Sequence, residues 1–67
     1  MDVVRRIGAN VRRLREAKAL SQEELAHRAG LHRTYISQIE RGVKNVTLVK
    51  LDQVAKALGA ALTELVA

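Results

Sequence analysis

Two helix-start and helix-stop signals in close succession constrain this chain more than any other feature. Ser21 stands three residues before Glu24. At that spacing a serine hydroxyl and a glutamate carboxylate each take up a backbone N–H that the first helical turn leaves unpaired. Leu20 and Leu25 flank the start at the spacing of a hydrophobic staple. Gly30 then stands where a left-handed residue closes a helix. The pattern repeats at once: Leu31 and Ile36 bracket a second start at His32, and Gly42 ends it. The spacing predicts one helix over about 22–29 and another over about 33–41, joined by Gly30, Leu31 and His32. Ala26 is small enough to let the second helix cross close to the first.

The rest of the chain reads as helix around this pair. Val4, Ile7, Val11 and Leu14 recur at helical spacing, and Asp2 can cap a first helix running to about Lys18. Thr47 caps a fourth helix whose inner stripe reads Leu48, Leu51, Val54, Ala55 and Leu58, with Gly59 as its stop. A short fifth helix is expected over about 62–66. With 67 residues the chain is one domain, expected over 1–67. A domain of this size buries only about 60% of its unfolded surface. Without Pro, Phe or Trp, and with one Tyr, the core is aliphatic. The fold class is all-α.

Composition also narrows the chemistry. Without cysteine there is no disulfide, thiol nucleophile or Cys-bound zinc. His27 and His32 are five apart across a turn and do not make a helical metal pair, so no metal and no cofactor are expected. There is no glycine-rich phosphate loop and no Ser-His-acid arrangement, and an enzyme is not expected. The longest apolar stretch, 58–67, is too short for a bilayer and contains Glu64. No signal peptide opens the chain, so the cytoplasm is the expected compartment. Twelve basic against seven acidic residues give a net charge of +5. Residues 1–50 carry +6 of it and 51–67 carry −1. That distribution fits a polyanion on one side, or a basic surface that is merely solvated.

The run SQEELAHRAGLHRTYISQIERG at 21–42 resembles the lambda-repressor-like, Cro-type (XRE) helix-turn-helix family, and the likeness extends through Leu14-Arg15 upstream and 47–59 downstream. Within that family the chain resembles small stand-alone regulators such as the controller proteins of restriction–modification systems. The resemblance implies a five-helix domain with its helix-turn-helix at about 21–41. It implies transcriptional regulation, as repressor or activator, through a double-stranded DNA operator. The usual homodimer would read a pseudo-palindromic site at the nucleoid. Position by position, Gln22 matches a phosphate contact at a helix N-terminus. Arg33, Thr34, Ser37 and Gln38 match the base-reading positions of the helix that enters the major groove. Arg33 suits guanine and Gln38 adenine. Arg15 and Glu40 match an ion pair between the first helix and the reading helix.

Other assignments rest on the residues alone. Tyr35 is either a phosphate contact through its hydroxyl or a partly buried ring. Arg12, Arg41, Lys44 and Asn45 are candidates for phosphate neutralisation. Leu58, Leu62, Leu65 and Val66 form an apolar face large for the helix at about 61–67. It is expected to pair two copies, the other reading being that it closes the protomer's own core. Three positions depart from the family pattern. Ala19 stands where glycine is usual, His32 where Ser, Thr, Asp or Asn caps best, and Ala61 cannot accept a capping bond. An antitoxin of the same fold, binding a toxin as well as DNA, is the alternative function. Neither a membrane nor a small-molecule partner is expected.

Overall fold

Five helices follow one another through the chain: α1 Val3–Ala17, α2 Gln22–Ala29, α3 Arg33–Arg41, α4 Leu48–Leu58 and α5 Leu62–Val66. The computed structural model describes residues 2–67. Met1, the head of the single domain expected over 1–67, lies outside the described residues. No strand occurs among the described residues, so the architecture is all-α.

The starts of α1, α2, α3 and α4 each carry a side-chain cap. Asp2 Oδ1 accepts from the Arg5 N–H at 3.0 Å, and Thr47 Oγ1 from the Lys50 N–H at 3.2 Å. Both arms of the Ser21–Glu24 box are closed, at 3.0 and 2.8 Å. Gly30, Gly42 and Gly59 end α2, α3 and α4 in the left-handed region. His32 is a better cap than its residue type suggests: its Nδ1 accepts from the Thr34 N–H at 3.0 Å. An unprotonated imidazole nitrogen supplies the lone pair that Ser or Asp supplies elsewhere. Ala61 offers no side-chain acceptor, yet Glu64 reaches back to its N–H at 2.8 Å. The end of α5 is held by Asn10, whose Nδ2 donates to the Leu65 and Ala67 carbonyls at 2.9 and 3.0 Å.

The core is aliphatic, centred on Val11, Leu25, Ile36, Ile39, Val54, Leu58 and Leu65. Two expectations about α4 and α5 are corrected here. Leu48 does not belong to the buried stripe; it is 69% exposed. At about 100° per residue it stands roughly 70° off the centre of the stripe formed by Leu51, Val54, Ala55 and Leu58. Leu58 and Leu65, assigned to a face between two copies, are wholly buried inside the protomer. α5 folds back against α1 and α4, and Leu65 fills the space between them. Of that four-residue face only Leu62, half-buried, and Val66, 37% exposed, remain at the surface.

α1 crosses α3 at Gly8. A Cβ there would fall onto the Ile39 carbonyl oxygen and within 2.9 Å of the Glu40 carbonyl oxygen. The helix gives up the propensity an alanine would add and gains a backbone-to-backbone seam. That seam fixes the height and pitch of α3 on the body of the protein.

Candidate nucleic-acid interface

α3 packs against both α1 and α2. Ile36 and Ile39 anchor its inner face, at 0 and 1% exposure. On one flank Glu40 turns toward α1 and meets Arg15. The guanidinium fork grips the carboxylate through Nε–Oε2 at 2.6 Å and Nη2–Oε1 at 3.0 Å. Nη1 also donates to the Leu20 carbonyl at 2.8 Å. The side chains are 12 and 4% exposed, so the pair is shielded from water and salt. The bond to Glu40, chiefly, holds the Arg15 pKa above its ordinary value, against the opposing effect of burial. Gln22 adds a further donor to Glu40 Oε1, at 3.1 Å.

The outer face of α3 carries Arg33, Thr34 and Arg41 exposed, with Ser37 and Gln38 half-buried. At about 100° per residue these five fall on one stripe opposite Ile36 and Ile39. No acid stands in the first turn of α3. The stripe therefore presents donors, a guanidinium and a positive helix end, and nothing that would repel a polyanion. The four residues expected to read bases thus lie together on the one helix face free of the core. Arg33 leads it at the N-terminal end.

The residues expected to meet phosphate are more scattered. Gln22 lies at the N-terminus of α2, where one amide hydrogen goes to Glu40 and a second is left to donate outward. Arg41 ends α3, and Lys44 and Asn45 are exposed in the loop between α3 and α4. Arg12 lies on an exposed side of α1, its Nε 3.3 Å from Glu16. Tyr35 is half-buried on the flank of α3 away from Glu40. The Nζ atoms of Lys44 and Lys50 stand 5.7 and 5.4 Å from its ring centroid. Lys50 escapes a reading of the sequence. Its one signal there is a lysine in the first turn of a helix, where the dipole favours acid.

Among the described residues no three His, Asp or Glu side chains gather as metal ligands would. No helix among them is long and apolar enough to cross a membrane.

Comparison with known proteins places this geometry. The chain is similar to the uncharacterized HTH-type transcriptional regulator y4dJ of Sinorhizobium fredii, at 44% identity over 98% of this chain and 86% of that protein. It is 48% identical to the control protein C.SmaI of Serratia marcescens, over 97% of this chain and 77% of the relative. Among solved structures, the restriction–modification controller protein C.AhdI from Aeromonas hydrophila superposes with a TM-score of 0.90 at 45% identity, covering 92% of this chain and 94% of that one. The HTH_3 family, described as helix-turn-helix, matches residues 11–65, which include all of α2, α3 and α4. The chain belongs to the HTH_3 helix-turn-helix family.

Proposed function

We propose that the protein is a sequence-specific transcriptional regulator that binds a pseudo-palindromic operator as a homodimer, in the manner of a restriction–modification controller. The observation that carries the reading is the outer stripe of α3: Arg33, Thr34, Ser37 and Gln38 on one acid-free face, anchored behind by Arg15–Glu40. A DNA reader works where the chromosome lies, which puts the protein in the cytoplasm.

In this reading the N-terminal half of α3 enters the major groove. Arg33 pairs with guanine O6 and N7, Gln38 with adenine, and Thr34 offers its methyl to thymine. Ser37 gives clearance or one hydrogen bond. Gln22, Arg41, Lys44 and Asn45 meet the backbone and set the register. Arg12 adds charge from α1. The protomer measures 27 × 22 × 21 Å. Two copies side by side span the roughly 34 Å between successive major grooves on one face of DNA. The apolar surface left for a second copy lies at Val43, Leu48 and Val49, and at Leu62 and Val66 of α5.

Selection from a random duplex library at near-physiological salt tests this directly. The expected product is a two-fold site with half-sites about one helical turn apart. A pool with no enriched sequence would remove α3 as a reader.

A further inference from the structure

A helix ends with carbonyls that find no partner inside it. α2, α3 and α4 each close two of theirs in the same way, around a left-handed glycine. At the end of α2 the Leu31 N–H donates to the Ala26 carbonyl at 2.9 Å and the Gly30 N–H to that of His27 at 3.3 Å. Gly42 and Val43 do this for α3, and Gly59 and Ala60 for α4. The end of α2 receives one bond more. Gln53, half-buried on α4, donates its Nε2 to the Ala29 carbonyl at 3.1 Å. Among the described residues, the other side-chain donors to carbonyls go to Leu20, Leu65 and Ala67, and none goes to the ends of α3 or α4. Ala29 is buried, and a buried carbonyl without a partner is costly.

The place of that bond matters more than its cost. α3 is tied to α1 at its C-terminal end, where Gly8 meets the Ile39 and Glu40 carbonyls and Arg15 grips Glu40. Arg33 stands six residues before Ile39, roughly 9 Å away along the axis. Ile36 anchors the middle of the helix. The N-terminal end is set by the turn that leads into it, Gly30-Leu31-His32. His32 caps the far side of this turn, and Gln53 holds the near side through Ala29. The Gln53 amide also lies alongside the turn: a Cβ on Gly30 would stand 4.0 Å from its Nε2. Among the described residues, Gln53 is the one side chain from outside α2 and α3 that bonds to this corner.

We infer that Gln53 is a positioning residue for base reading: by holding the Ala29 carbonyl it fixes the corner between α2 and α3, and so the aim of Arg33 and Thr34. Gln53 acts from α4, outside the reading stripe. The inference rests on the reading of α3 as the groove helix.

The probes are the duplex recovered by library selection and a random-sequence duplex, and the readout is the ratio of the two affinities. Thermal unfolding first fixes a temperature at which every variant is fully folded, and binding is measured there. Gln53→Met keeps the length of the side chain and removes the donor. Its ratio is expected to fall about 2- to 30-fold, the range for residues that bias a binding site without touching the ligand. Gln53→Lys supplies a donor again and is expected to recover most of the ratio. Arg33→Ala lowers the ratio by itself, and adding Gln53→Met to it is expected to lower it by less than Gln53→Met does alone, since one of the side chains being aimed is gone. A Gln53→Met ratio equal to that of the unaltered protein overturns the positioning role and leaves α3 as the reader. Equal losses with and without Arg33 overturn it too, because a loosened fold at large has no preference for that side chain. If selection enriches no site with the unaltered protein, the reading of α3 falls and the positioning role falls with it.

Discussion

Ala19 has a φ of 55°, the only positive value on a non-glycine residue among those described. An L side chain in that conformation crowds the following carbonyl and costs about 1–2 kcal/mol. The strain closes α1: the Ala19 N–H donates to the Glu16 carbonyl, and the Leu20 N–H to that of Arg15. Glycine accepts the same backbone freely. Ala19→Gly is therefore expected to raise stability by about 1 kcal/mol, offset in part by the glycine's looser unfolded chain. In a domain of this size that is a rise of about 4–8 °C in Tm. Arg15 lies at the opposite extreme. Its removal strands a carboxylate that is 4% exposed. Arg15→Ala is expected to cost about 3–5 kcal/mol in urea unfolding. An unchanged midpoint would show that Gln22 alone suffices for Glu40.

At the scale of elements, the starts and stops of α2, α3 and α4 are legible because they are local. Ser21 and Glu24 are three residues apart, and their chemistry needs nothing beyond the first turn. That local bond has a pH signature. Hydrogen bonding to the Ser21 backbone N–H, chiefly, lowers the Glu24 pKa below its usual 4.5. A depressed carboxylate contributes stability above that value and loses it as pH falls through the folded-state value. The stability gap between the unaltered protein and Glu24→Gln is thus expected to stay level from neutral pH to about 4.5 and to narrow below it. A gap that stays level at lower pH would remove the carboxylate from the box. Other features depend on partners far along the chain, which spacing does not reveal. Gly8 reads as a weak point in α1 until the Ile39 and Glu40 carbonyls are set against it. Arg15 and Glu40 are 25 residues apart; the resemblance to a family suggested their pairing, and periodicity did not. The Asn10 bonds to the end of α5 span 55 and 57 residues. The stripe of α3 was legible as a face, because Ile36 and Ile39 fix which side is inward. The convergence of Lys44 and Lys50 on Tyr35 was not, because it needs the path of the loop.

For the whole molecule, the apolar pattern told which residues need cover but not what covers them. Leu58 and Leu65 are covered by the protomer itself, so the two kinds of apolar residue separate by experiment. Leu65→Ala is expected to destabilise the protomer by about 2–5 kcal/mol, as the loss of a filled core position does. Val49→Glu, at a site 73% exposed, is expected to leave thermal unfolding of the protomer nearly unchanged. It is expected to shift sedimentation at tens of micromolar from dimer toward monomer. An unaltered protein that sediments as monomer would move pairing onto the DNA itself. The family match over 11–65 bears out the resemblance read from 21–42, because a motif held by caps and staples leaves its mark on nearly every position it uses.

The bare crossing at Gly8 has a mechanical consequence. With no side chain between the α1 and α3 backbones there is no cushion to compress, and the Arg15 fork ties the same two helices beside it. On the proposed reading of α3, such a mounting is expected to leave the helix little freedom to lean toward its target. Stretches of duplex that bend cheaply are then expected to gain affinity at base pairs no side chain touches.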